Sequence, residues 1–168
     1  MTPYSVTFIH AIDYMLAAEG GYVNDPTDKG GETKYGISKR SYPTLNIATL
    51  TPEQATEIYF RDYWLKVRCD QLPAGISLAM FDGVVQHGYK TAIQQLQRAL
   101  RVVDDGVIGA KTLAAVEAVM PRLLFARLMN QRSQTYTRII ANSPVQIRFM
   151  NGWFNRLDKL TTAVWEVL

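Results

Sequence analysis

The sequence predicts an all-α protein with one small β excursion at residues 22–37. Three observations point that way. Apolar residues recur at helical spacing through most of the chain. The breaks between those stretches carry glycine, proline or a Ser/Thr cap. Only the glycine- and aspartate-rich segment after Glu19 replaces helical spacing with the turn signals of a hairpin.

Phe8, Ile12, Met15 and Leu16 place an amphipathic helix over residues 5–19, and Gly20 stops it, because glycine takes the left-handed cap conformation cheaply. Asn24-Asp25-Pro26 and Lys29-Gly30-Gly31 are turn signals, with Thr33 to Ile37 as a short strand beside them. Thr51-Pro52-Glu53-Gln54 opens the next helix with a cap, a proline at the first position and a capping-box glutamine. Ala55, Ile58, Tyr59 and Tyr63 carry it to about Val67, and Pro73 marks a break. From Ile76 to Gln86, apolar side chains crowd nearly every face, as in a buried helix. Ala92 to Leu100 is amphipathic and ends at Asp104-Asp105-Gly106. Lys111 to Met120 is helical, and Pro121 starts a longer helix with Leu124, Phe125, Leu128 and Met129 on its apolar face. Ser143-Pro144 interrupts before a last helix bearing Ile147, Phe149, Trp153 and Leu157.

A chain of 168 residues fits one compact domain. A single cysteine, Cys69, excludes an internal disulfide, and two histidines with that cysteine are too few for a structural zinc site. No apolar run has the length of a membrane span, so no stable membrane insertion is expected. No basic segment precedes an apolar run at the N-terminus, so synthesis in the cytoplasm without an ordinary signal peptide is expected. Charge is uneven: residues 1–85 hold seven Lys/Arg against ten Asp/Glu, and residues 121–168 hold seven against two. An acidic first half and a basic tail suit an acid-based site working near an anionic polymer, although surface arginines alone account for the tail equally well.

Glu19 is the residue that asks for an explanation. The exposed carbonyls at a helix C-terminus disfavour a carboxylate, so this position favours the protonated form. A general acid working near neutral pH needs that bias. Glycoside hydrolysis uses such an acid at the leaving oxygen, commonly with a second carboxylate as base or nucleophile. Asp25, Asp28 and Glu32 are the candidates for the second group. From spacing alone the same loop is equally well a solvated turn.

Longer motifs add to this. Glu19-Gly20-Gly21-Tyr22, Asn24-Asp25-Pro26, Asp28-Lys29-Gly30-Gly31-Glu32-Thr33 and Tyr35-Gly36-Ile37 resemble the signature of glycoside hydrolase family 108, which includes phage endolysins and proteins once called secretion activators. Ile58 to Trp64 resembles the family's tyrosine- and tryptophan-bearing helix, and Asp82 to Gly88 its Asp-x-x-x-Asn-x-Gly segment, with Gln86-His87 in place of Asn and a small residue. Ala92 to Gln97 with Asp105 to Leu113 is similar to the peptidoglycan-binding half that often closes these proteins, and Gly152 to Arg156 to their terminal Gly-Trp-x-x-Arg.

The resemblance implies a lysozyme-like fold, with residues 1–85 as a catalytic lobe and 86–168 as a peptidoglycan-binding lobe. It implies cleavage of the β-1,4 bond between N-acetylmuramic acid and N-acetylglucosamine, with Glu19 as catalytic acid. Asp28 and Thr33 join it as catalytic candidates. Many phage lysozymes space Glu, Asp and Thr by eight and five residues; here eight separate Glu19 from Asp28 and four separate Asp28 from Thr33. Substrate contacts are expected from Asn24, Asp82 and Gln86, and from Tyr22, Tyr35, Trp64 and Trp153 as flat faces for sugar rings. Tyr59 and Phe149 are expected in the core. Bacterial peptidoglycan is the expected partner of a monomer, acting in the periplasm after holin-dependent release. A lytic transglycosylase and a non-catalytic wall-binding or secretion-assisting protein are the alternatives.

No cofactor, metal or nucleic-acid partner is expected. Asp104-Asp105-Gly106 lacks the alternating oxygen ligands of a calcium loop and reads as a turn. His10 and His87 form no His-Glu-x-x-His pattern. Cys69 reads as a small buried hydrophobe. Lys90, Arg98 and Arg101 lie on one helix and are candidates to touch the polymer, with a solvated helix face the favoured reading.

Overall fold

The computed structural model describes residues 4–24 and 31–168. Among the described residues the main elements are seven α-helices and one two-stranded hairpin, so the fold class is the mostly helical, lysozyme-like one expected. Internal contacts divide the chain into two compact units, residues 1–66 and 67–168.

In the first unit, helix α1 spans Val6–Glu19 and is capped by the Ser5 hydroxyl, which accepts from the Phe8 amide at 3.2 Å. Its stripe of Phe8, Ala11, Ile12 and Met15 is buried. Phe8 packs edge-on against Phe60 and Trp64, with ring centroids 4.9 and 5.2 Å away. Gly20 ends the helix as expected, but at φ 71° and ψ −163° it is not in the left-handed cap conformation; it takes an extended positive-φ geometry that essentially only glycine adopts.

Strands β1 (Thr33–Lys34) and β2 (Ile37–Ser38) pair antiparallel, Thr33 opposite Ser38 and Lys34 opposite Ile37. Val23 and Thr33 exchange two backbone hydrogen bonds of 2.8 Å, adding a third short rung. The continuous strand expected through residues 33–37 is instead folded in two. Tyr35 and Gly36 form a two-residue turn with φ of 51° and 76°. Positive φ at both central positions matches the right-handed twist of the flanking strands.

Helix α2 (Pro52–Tyr59) has the full capping box: Gln54 donates its amide to Thr51 Oγ1 and accepts the Thr51 amide on its side chain. The helix expected to run unbroken to Val67 widens into a π-turn over Phe60–Trp64 and then tightens into a 3-10 turn over Leu65–Val67. In an α-helix, residues five apart face about 140° from one another. The wider turn lets Tyr59 and Trp64 both point inward, and both are fully buried.

The second unit is built around α3 (Ala74–His87), whose residues from Gly75 to Val84 are all buried, as its apolar crowding predicts. It packs against α4 (Tyr89–Leu100), α6 (Pro121–Asn142) and α7 (Met150–Trp165), with the short α5 (Ala110–Glu117) beside α4. Buried Gln97 secures the turn before α5: its side chain donates to Asp105 Oδ1 and the Val107 carbonyl and accepts the Gly106 amide. The start of the last helix differs from expectation. Pro144–Phe149 is a 3-10 turn, and the tighter winding leaves Ile147 and Phe149 exposed at 58% and 44%. Phe149 is therefore not core.

Candidate active site

Glu19 is the last residue of α1 and is half-buried. The hairpin turn lies against it. A methyl group built on Gly36 would fall 2.4 Å from Tyr59 Oη, 2.9 Å from Glu19 Cγ and 3.1 Å from Glu19 Oε2. Only glycine fits that approach, and its positive φ reinforces the requirement. Tyr59 Oη donates to the Tyr35 carbonyl at 2.8 Å, holding a tyrosine in the left-handed region that bulky residues avoid. Tyr63 packs on Tyr59 with centroids 5.2 Å apart. Burial pushes the Tyr63 hydroxyl up, and the nearby charge of Asp62 adds to the effect. Glu19, Gly36, Tyr59 and Tyr63 thus form one cluster within the first unit.

Around it, Tyr22 is 44% exposed and donates to Glu32 Oε1 at 3.1 Å. Asn24 is exposed and also interacts with the Tyr22 hydroxyl. Thr33 sits in β1, half-buried, with its hydroxyl on the Gly31 carbonyl at 3.4 Å. Tyr35 is half-buried at the turn, with the Lys34 ammonium 5.5 Å from its ring. Asp25 and Asp28 lie outside the described residues.

Trp64 is wholly buried against Phe8. Its ring offers no face on which a sugar could lie, and its role is packing. Nearby, the Arg61 guanidinium and the Tyr42 hydroxyl hold Asp62 down at about 2.

Asp82 and Gln86 belong to the second unit. Asp82 is fully buried, with one carboxylate oxygen 2.7 Å from the Arg132 guanidinium and the other accepting from Arg156 Nε at 2.9 Å. Gln86 Oε1 accepts from Arg132 and from Tyr136 Oη. Trp153 stacks on Tyr136 at 5.0 Å and 17° and is half-buried. His87 lies 5.4 Å from Tyr136 with its Nε2 buried and lacking a hydrogen-bond partner among the described residues. Burial first, then the Arg132 charge, hold His87 down at about 4. Asp82 here is the centre of a buried ionic network and does not face solvent. Sequence reasoning missed Gly36, Tyr59 and Tyr63 beside Glu19, and Arg132 and Arg156 beside Asp82. The local signals were an aromatic-glycine pair between strand residues and two tyrosines at i, i+4 spacing.

The chain is thus mostly helical, with a half-buried glutamate at a helix end beside a small hairpin, and its class comes from comparison with known proteins. The model for glycosyl hydrolase 108 matches residues 12–88, and a model described as "Predicted Peptidoglycan domain" matches residues 91–158. The solved structure of Brucella abortus SagA superposes with a TM-score of 0.83 at 32% identity, covering 96% of this chain and 95% of that one. No curated protein matches significantly. The chain belongs to glycosyl hydrolase family 108. It is a glycoside hydrolase that acts on peptidoglycan.

Proposed function

We propose that the enzyme is an N-acetylmuramidase of the endolysin type, cleaving the β-1,4 bond between N-acetylmuramic acid and N-acetylglucosamine with Glu19 as general acid. The observation that carries this is the placement of Glu19: half-buried at the end of α1 and set against Gly36, with Tyr59 Oη at the same spot. The Glu19 proton passes to the bridging oxygen as the bond to the muramic-acid C1 breaks. Positive charge develops at C1 in an oxocarbenium-like transition state. Water, or the sugar's own N-acetyl oxygen followed by water, completes the bond at C1. Asp28 is the proposed second carboxylate, ahead of Asp25 and Glu32, and Thr33 is a further catalytic candidate.

Tyr22, Asn24 and Tyr35 are the proposed sugar contacts near Glu19, and Trp153 is a proposed contact in the second unit. Residues 1–85 would carry the chemistry and 86–168 the wall binding, a division supported by the boundary between the two family matches. We further propose that the enzyme works as a monomer in the periplasm, reached through a holin-type lesion. No described helix is long and apolar enough to cross a membrane.

The test is product analysis. Purified peptidoglycan incubated with the enzyme should yield muropeptides with new reducing ends at N-acetylmuramic acid. Anhydromuramyl products, lighter by one water, would assign a lytic transglycosylase instead. Binding without release of reducing ends would leave a non-catalytic wall-binding protein.

A further inference from the structure

Helices α4 and α6 pack together in the second unit, tied by the Gln95 amide donating to Thr135 Oγ1 at 2.9 Å. Along their seam run two adjoining hollows of about 430 and 170 Å³, which share Arg98, Gln131 and Gln134 as walls. Arg138 closes the larger one, and Arg101 and Arg127 line the smaller. Together they form one open groove with four guanidinium groups. Neither helix contains an aspartate or glutamate. Arg98 Nε donates to Asp104 at 2.6 Å, which fixes its fork. Arg101 and Arg127 have no carboxylate partner among the described residues. Arg138 is held along the helix by the Gln134 carbonyl and Thr135 Oγ1, both at 3.2 Å.

The spacing selects an occupant. Arg127, Gln131, Gln134 and Arg138 follow one another at helical intervals on one face of α6, and 11 residues of helix rise about 16 Å. An extended peptide of about five residues has that length. Guanidinium forks pair with carboxylates through two parallel hydrogen bonds, and the glutamines between them can meet peptide amides. We propose that the α4/α6 groove binds the short, carboxylate-bearing peptide stems of peptidoglycan. This rests on peptidoglycan being the substrate, and it adds a part of the polymer that Glu19 does not act on. The glycan would be cut by the first unit while the second recognises its peptides, so that densely substituted wall is favoured over bare glycan.

The experiment measures binding of a fluorescein-labelled L-Ala-γ-D-Glu-meso-diaminopimelate-D-Ala-D-Ala peptide to the full-length enzyme by anisotropy. Saturable binding is expected, weakened at least tenfold by Arg127→Gln with Arg138→Gln, and at least tenfold when the peptide carboxylates are amidated. If the double variant melts below wild type, the single substitutions carry the test, each expected to weaken binding about threefold. Three results would overturn the proposal: no saturable binding, binding insensitive to the arginines, or tighter arginine-dependent binding of a short DNA duplex. Failure of the muramidase assignment is separately visible, because it appears as absent reducing ends while the peptide still binds.

Discussion

Replacing Gly36 by alanine tests whether the hairpin turn sets the position of the acid. The new methyl would lie 2.4 Å from Tyr59 Oη, where ordinary contact begins at 3.4 Å, so something must move by about 1 Å. The contacts at 2.9 and 3.1 Å fall on Glu19 itself. Alanine at φ +76° adds about 1 kcal/mol of backbone strain. Breaking the 2.8 Å bond from Tyr59 to the Tyr35 carbonyl costs about 1 kcal/mol more. A loss of about 2–3 kcal/mol corresponds to a Tm drop of about 4–12 °C for a chain of this size. The effect on catalysis should be larger, since a displacement of about 1 Å at a reacting group costs on the order of 100-fold in rate. Differential scanning calorimetry and release of reducing sugar measure the two. Adding Tyr59→Phe removes the atom at 2.4 Å and should recover stability relative to Gly36→Ala alone, a non-additive cycle. Activity should stay low, because the Glu19 contacts persist. A Gly36→Ala enzyme with wild-type Tm and rate would refute the claim that the turn braces Glu19.

Two further predictions concern the second unit. Asp82→Asn keeps the shape but strips the counter-charge from buried Arg132 and from Arg156, so urea denaturation should show a loss of about 3–5 kcal/mol; a variant within 1 kcal/mol of wild type, on the order of a surface pair, would contradict the network. His87 titrates near 4 in the folded protein and near 6.5 when unfolded. The unfolded chain therefore binds more protons between those values, and stability should fall as pH drops from about 6.5 to 4, by about 3 kcal/mol at most. Denaturation midpoints across that window should slope less in His87→Gln, and an unchanged slope would assign the pH dependence to other groups.

Much of this was legible because it is local. The helical period of Phe8, Ile12 and Met15 followed by Gly20 placed Glu19 at a helix end, and Thr51-Pro52-x-Gln54 announced the start of α2. What was hidden depends on contacts far along the chain. Tyr35 occupies a positive-φ position that its residue type argues against, and a hydrogen bond from Tyr59, 24 residues on, holds it there. The π-turn at Phe60–Trp64 leaves no mark on an apolar period, so Trp64 looked available when it is core. Asp82 meets arginines 50 and 74 positions away, and nothing near it announces that pairing. Ile147 and Phe149 have apolar side chains, but the 3-10 turn that carries them aims them at solvent.

The central claim is that Glu19 supplies the proton. Glu19→Gln retains the size and hydrogen-bonding reach of the side chain and removes only the acid. Reducing ends released from purified peptidoglycan by this variant should fall by at least about 100-fold, the usual contribution of a general acid, with an unchanged Tm. A Glu19→Gln enzyme that releases muropeptides at near wild-type rate would place the chemistry on another residue.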